Sequence, residues 1–182
     1  MRIRLRKAET EDITGMRELF RGTVLKVNAA DYTKEETEDW AACGEDLTHW
    51  KKLMEGLYFV VAEVVEGKSN RAVPDARTRE EEMVGFASIS EEGYLHSMFV
   101  HQGFQGCGVA TALLREMEDY AYSRGVEKIW SEVSITARSF FDGEGYEVVK
   151  EQRRKAKQME LVNFVMQKKV TTSPTDLSND EI

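Results

Sequence analysis

Only two cysteines, Cys43 and Cys107, stand in 182 residues. That is too few for a disulfide framework and suits a reducing compartment, so a cytoplasmic location is expected. Long apolar runs are also missing. The longest, over residues 57–65, is broken by Glu63 and falls well short of the ~20 residues a spanning helix needs, so no membrane partner is expected. The opening Met-Arg-Ile-Arg-Leu-Arg has neither the apolar segment nor the small-residue cleavage site of a secretory signal, and reads as a short charged strand. Positive charge is in deficit: 25 Lys and Arg against 33 Asp and Glu give a net charge of -8. Such a chain repels a phosphate backbone at long range, which argues against a nucleic-acid partner. It attracts small cations, a protonated amine among them, although the same charge also simply serves solubility. No Cys/His cluster has zinc spacing, so no metal is expected.

What remains is a balanced globular composition, 41% hydrophobic and 32% charged, with a length that fits one domain. Ile3 and Leu5 alternate with Arg2, Arg4 and Arg6, a period of two that predicts a first strand. Thr10, followed by Glu11 and Asp12, reads as a helix N-cap with acids in the first turn. Ile13, Met16, Phe20 and Val24 then recur at helical spacing to about residue 26. Residues 28–55 are polar and helix-rich, whereas 57–65 is a β-branched and aromatic run that predicts a buried strand. Residues 66–82 are charged and aperiodic and contain Pro74, the pattern of an enlarged, mobile hairpin loop.

Strands are predicted at 84–89 and 94–100, turning at Gly93, to complete an antiparallel meander. Ala110, Leu113, Leu114, Met117 and Ala121 mark an amphipathic helix capped by Gly125. Beyond it lie a strand at 128–133, a short helix at 136–142, and strands at 146–149 and 159–168. Residues 171–182 read as a disordered tail after a single domain over 1–170. These units argue a three-layer α/β or α+β domain.

The strongest local signal is Val-His-Gln-Gly-Phe-Gln-Gly-Cys-Gly-Val-Ala over residues 100–110, between a strand and a helix. Gly106 and Gly108 allow close backbone approach, and a helix N-terminus offers free N–H groups and partial positive charge to an anion. A pyrophosphate is the natural ligand. No Lys-Ser or Lys-Thr pair opens the helix, which excludes a nucleotide P-loop. The glycine order G-x-x-G-x-G is not that of a dinucleotide fold.

Gln105-x-x-Gly108-x-Ala110 resembles the coenzyme A loop of the GNAT superfamily, Arg/Gln-x-x-Gly-x-Gly/Ala. The stretch Ser-Ile-Thr-Ala-Arg-Ser-Phe-Phe-Asp-Gly-Glu-Gly-Tyr over 134–146 resembles the family's second signature, Asn-x-x-Ala-x-x-Phe-Tyr-x-x-x-Gly-Phe. With matching strand order, the resemblance covers about residues 2–169. It is strongest to a largely bacterial branch with an early Val-Asn-Ala-x-Asp-Tyr segment, here at 27–32. The resemblance implies a mixed, mostly antiparallel sheet of about seven strands, with helices on both faces and a splay near its middle. It implies acetyl-coenzyme A as co-substrate. Backbone from Met98, Phe99 and Val100 would pair with the pantetheine arm, and one N–H would stabilise the oxyanion. Gln105, Gly106, Cys107 and Gly108, with Val109, Ala110 and Thr111, would wrap the pyrophosphate. Ser134, or Thr136 under a small shift of alignment, would touch the coenzyme, as would Phe141.

The implied activity is acetyl transfer to a primary amine, on a small molecule or a peptide, by direct attack in a ternary complex. The amine must lose a proton, because an ammonium of pKa ~10.4 is no nucleophile at neutral pH. His96 is the candidate base, four residues before Val100 and with a suitable ordinary pKa of ~6.5. The competing reading makes it a packing residue. Tyr94 shares its face under the period-two rule and is a candidate relay or acid, and Glu132, acting through water, is a third candidate. His101 reads as solvated, and His49 carries no evident chemistry. Phe141 stands where many relatives carry the Tyr that protonates the departing sulfur, and a phenyl ring has no such proton. That keeps alive a non-catalytic acyl-coenzyme A sensor. Tyr32 and Trp40 are candidate acceptor contacts, against an ordinary core role. A homodimer is the default assembly.

Overall fold

The computed structural model describes residues 2–66 and 82–170. The reading of 66–82 as a mobile loop and of 171–182 as a tail lies, apart from Glu66 and Glu82, outside the described residues. Seven strands form one sheet: β1 (Arg2–Lys7), β2 (Tyr58–Glu66), β3 (Glu82–Ile89), β4 (Tyr94–Val100), β5 (Lys128–Ser134), β6 (Glu147–Lys155) and β7 (Glu160–Lys169), in the order β1-β2-β3-β4-β5-β7-β6. Every pairing is antiparallel except β4 with β5. Alternation along the strands feeds two cores. Val60, Ala62, Val84 and Ala87 pack with Leu113 and Met117 of α4 (Val109–Ser123). Phe59, Val61 and Phe86 point the other way, to Met16, Phe20 and Val24 of α1 (Ile13–Lys26), with α2 (Lys34–Ala42) and α3 (Leu47–Gly56) beside it. The result is the expected three-layer mixed sheet. Fully buried side chains such as Met16, Phe86 and Leu113 contribute about 1.5–3 kcal/mol each.

Close approach fixes α4 on the sheet. A Cβ on Gly85 of β3 would lie 3.0 Å from Leu113 and Val109 and 3.1 Å from the Phe99 carbonyl oxygen, so only glycine fits between this strand and the helix. Gly125, at φ 71, ends α4. Its N–H reaches the Tyr122 carbonyl and that of Val126 reaches Ala121, the paired bonds of a Schellman stop.

Two sequence expectations are corrected. Thr10 does not cap α1; it opens a 3-10 turn, Thr10–Asp12. The Glu9 N–H donates to Asp12 Oδ2 at 2.7 Å, and Arg6 grips both Asp12 oxygens at 2.7 and 2.8 Å. The charged pair of Arg6 from β1 with Asp12 outcompetes a neutral hydroxyl for this turn. Strand β6 also runs beyond residue 149 to Lys155. Its residues there are almost all exposed, so no apolar alternation announces it.

Charged groups tie elements together. Glu63 of β2 is only 5% exposed and takes Arg4 Nη2 at 2.6 Å and Arg6 Nη2 at 2.7 Å. Burial pushes its carboxyl up, but the two guanidiniums outweigh that and hold it below the usual range. Asp39 of α2 accepts the N–H groups of Lys157, Gln158 and Met159 in the β6–β7 turn, at 2.9, 2.9 and 3.0 Å. Those backbone bonds hold its carboxyl below the usual range. Among the described residues no helix is long and apolar enough to cross a membrane.

Candidate active site

The parallel ladder between β4 and β5 has two rungs, Tyr94 with Trp130 and Leu95 with Ser131. Ser131 Oγ adds a bond to the Leu95 carbonyl at 2.7 Å, after which the strands part. On its other edge β4 stays paired with β3 as far as Val100. His101 donates its N–H to Val84 of β3. Because N–H groups alternate in direction along a strand, those of Met98 and Val100 point to the open edge. The Val100 carbonyl on that edge accepts Thr23 Oγ1 at 3.0 Å and Gln105 Nε2 at 2.7 Å. A gap of this kind offers an extended ligand backbone groups to pair with.

A bulge re-aims the strand. Register slips between Ser88 and Ile89 of β3, leaving His96 as the extra residue between Leu95 and Ser97. Leu95, Met98 and Val100 therefore all pack toward α4, while Phe99 packs toward α1. The cleft so formed has a volume of 1070 Å³ and reaches from the α4 N-terminus, through the gap, to α2 and α3.

At one end Gly106 and Gly108 hold φ values of 69 and 81, a region that strongly favours glycine. A Cβ on either would meet nothing within 4 Å. The loop is thus an open cradle, hollow where a side chain would be. Gly108 is the N-cap of α4 and offers no side chain to its first turn. The N–H groups of Val109, Ala110 and Thr111 precede the first intrahelical bond, that of Ala112 to Gly108, so they are available to an anion. These features fit a pyrophosphate and an extended pantetheine arm.

At the other end, Tyr94 and His96 of β4 meet edge to face with centroids 5.7 Å apart, and Tyr94 stacks on Trp130 at 4.3 Å. His96 Nδ1 lies 2.7 Å from Ser97 Oγ. Burial lowers the His96 pKa, His49 across the cleft lowers it further, and Glu132 opposes them. The imidazole is therefore neutral at neutral pH and able to accept a proton. Burial pushes the Tyr94 phenol up, with Glu132 adding to the effect. Glu132 itself is engaged, accepting Gln152 Nε2 at 3.0 Å and Arg154 Nε at 3.1 Å.

Other candidates fall on the same cleft in different roles. Ser134 Oγ accepts the Ala137 N–H at 3.1 Å and Asn28 Nδ2 at 3.4 Å. Thr136 Oγ1 lines the cleft, buried and without a partner. Phe141 is 3% exposed and meets Tyr146 edge to face at 5.1 Å. The Tyr146 hydroxyl is held by Glu118 at 3.0 Å, so Tyr146 does not replace the phenol missing at 141. The Tyr32 ring lines the cleft, but its hydroxyl donates to the Val162 carbonyl at 2.6 Å and accepts the Ile135 N–H at 3.0 Å. Tyr32 is a strut as much as a wall. Trp40 packs edge-on to Tyr32 and Phe99. Gln105 turns its amide back to Val100, and Cys107 is exposed and does not line the cleft.

Sequence reading missed His49, Arg154 and Asn163, which all line the cleft. Nothing local marks them; a tertiary approach of α3, β6 and β7 brings them in. Among the described residues no group of three or more His, Cys, Asp or Glu is arranged to hold a metal ion.

Comparison with known proteins agrees with this architecture. The family described as Acetyltransferase (GNAT) domain matches residues 28–168. The chain belongs to the GNAT acetyltransferase family. It is 27% identical over 168 residues to the uncharacterized N-acetyltransferase YafP of Escherichia coli K12, covering 92% of this chain and 96% of that one. A GCN5-related N-acetyltransferase structure from Rhodopseudomonas palustris superposes with a TM-score of 0.81 at 24% identity, covering 93% of this chain and 96% of that one. The PaiA N-acetyltransferase of Thermoplasma acidophilum, solved in complex with coenzyme A, gives 0.70 at 18% identity over 93% and 99%.

Proposed function

We propose that residues 1–170 act as one cytoplasmic domain that transfers the acetyl group of acetyl-coenzyme A to a primary amine, by direct attack in a ternary complex. The observation that carries this reading is the continuity of one cleft, from the uncapped α4 N-terminus, past the open edge of β4, to the neutral imidazole of His96. Bound there, the coenzyme would supply an activated thioester. The loop N–H groups of Val109, Ala110 and Thr111 neutralise pyrophosphate charge. The Met98 N–H, on the open edge, stabilises negative charge as it builds on the acyl oxygen. His96 removes the amine proton, and its bond to Ser97 orients the ring. With Phe141 lacking an acidic hydrogen, the departing sulfur takes its proton from His96 or from water.

The same Phe141 favours a second reading, a sensor that binds acyl-coenzyme A without turnover. Two measurements test both. Thermal unfolding with acetyl-coenzyme A, against ATP and NAD as controls, reads the loop. A shift of zero at millimolar coenzyme rejects both readings. Release of free thiol that depends on an added amine rejects the sensor.

A further inference from the structure

The acceptor end of the cleft has an unexpected charge. In a protein of net charge -8, its charged lining is Arg154 and Lys155 against Glu132 alone. Register shows how they meet. Ser134 of β5 stands opposite Asn163 of β7, which stands opposite Gln152 of β6; Leu161 stands opposite Arg154. Directly opposed residues share a face, so Glu132, Asn163, Gln152 and Arg154 all rise on the side that carries Trp40. Glu132 is already paired with Arg154 and hydrogen-bonded by Gln152. Arg154 uses its Nε for that bond, and its side chain is 61% exposed, leaving the planar end of the fork toward solvent and cleft. Asn163 Oδ1 is buried and has no hydrogen-bond partner. A carbonyl oxygen without a donor, beside a guanidinium with donors to spare, matches a molecule that carries both N–H groups and an anion. The aromatic wall of Trp40, Phe99 and Tyr94 suits an apolar body between them.

Resting on the acetyl-transfer reading above, we infer that the acceptor is an amino-carboxylate with an aromatic or large apolar side chain, such as a free aromatic amino acid. Its carboxylate lies on Arg154, with Lys155 adding charge. One N–H of its amine faces Asn163 Oδ1, and another faces His96. The reaction forms an N–C bond and breaks the C–S bond. One amine proton leaves through His96 and the sulfur gains one, so N-acetyl amino acid and free thiol appear in equal amounts. A plain amine or a peptide N-terminus lacks the nearby anion and binds poorly.

The test is thiol release with L-tryptophan and L-phenylalanine beside their decarboxylated counterparts, tryptamine and phenethylamine. Wild type should favour the amino acids by ten-fold or more in kcat/KM. Arg154→Gln should lower the amino-acid values about ten- to a hundred-fold, mostly through KM, the range for a charged hydrogen bond, and leave the amines within about two-fold. Arg154→Lys should recover part of the loss. A merely structural Arg154 would move all four substrates alike, and that result overturns the inference. So does equal use of the amines, or turnover of none of the four by protein that acetyl-coenzyme A still stabilises. Absence of that stabilisation would remove the acetyl-transfer reading itself, and this inference with it.

Discussion

Replacing Gly108 by alanine separates the loop's own stability from what it holds. At φ 81 the added Cβ meets no protein atom within 4 Å. The free protein therefore bears only the left-handed backbone cost, about 1–2 kcal/mol. For a domain of this size 1 kcal/mol corresponds to about 2–4 °C, so the melting temperature should fall by about 2–8 °C. Acetyl-coenzyme A at about 100 times its dissociation constant should raise wild type by about 2.7 kcal/mol, or about 5–11 °C. In Gly108→Ala the methyl group occupies the hollow of the cradle, and that rise should shrink to a degree or two. The assay is thermal unfolding by circular dichroism, with and without acetyl-coenzyme A. Gly22→Ala is the control. Gly22 lies inside α1, its added Cβ also meets nothing within 4 Å, and its backbone is helical. That variant should melt higher, by the ~0.5–1 kcal/mol that alanine gains over glycine in a helix, and keep the full ligand shift. If Gly108→Ala keeps it too, nothing seats against the loop, and the placement of the pyrophosphate is wrong.

Three further outcomes are expected. Burial and His49 keep the His96 pKa low, so the acid limb of kcat/KM should lie below about pH 6.5; His96→Gln should abolish that limb and cost about 10²–10⁴-fold in kcat, and an unchanged profile removes His96 from the chemistry. Tyr32→Phe strips the Val162 carbonyl and the Ile135 N–H of their shared partner and should cost about 1–3 kcal/mol in urea unfolding; a change under about 0.5 kcal/mol would show that water replaces the hydroxyl. Glu63 has a lowered native pKa, so the unfolded chain takes up its proton first as pH falls. Its stabilisation is complete above the ordinary value of about 4.3 and disappears as pH drops through the native value. Glu63→Gln should therefore flatten the acid slope of melting temperature, and equal slopes in the two proteins would refute the assignment.

Legibility in the sequence followed the range of the interaction. The alternation of β1, the helical spacing of α1 and α4, and the glycines of the loop are local patterns, and each marks its element. The extension of β6 is silent because an almost fully exposed edge strand needs no apolar face. The bulge at His96 is equally silent, since it exists only as a register between two strands. Tyr94 and His96 still meet edge to face, because the extra residue is His96 itself and the pairing resumes only beyond it, at Ser97. His49 and Arg154 are ordinary surface residues by sequence. Their place is decided by where α3 and β6 come to rest. Tyr32 and Trp40 were visible as aromatics, but the use of the Tyr32 hydroxyl as a strut depends on partners more than a hundred residues away.

The short seam between β4 and β5 also decides how the molecule can move. Two leaves, β1 to β4 and β5-β7-β6, are each stiffened by long ladders, yet only two rungs and the Ser131 hydroxyl join them in the sheet. Further ties cross through helices: Tyr32 to Val162 and Ile135, Asn28 to Ser134, Asp39 to the β6–β7 turn, and Glu118 of α4 to Tyr146 and Lys168. The angle between the leaves is thus held by side chains from the α1–α2 region and from α4 more than by the sheet. A ligand backbone lying along the open edge of β4 would act as an eighth strand, and amide exchange along β4 would slow as it locks the two leaves into one body.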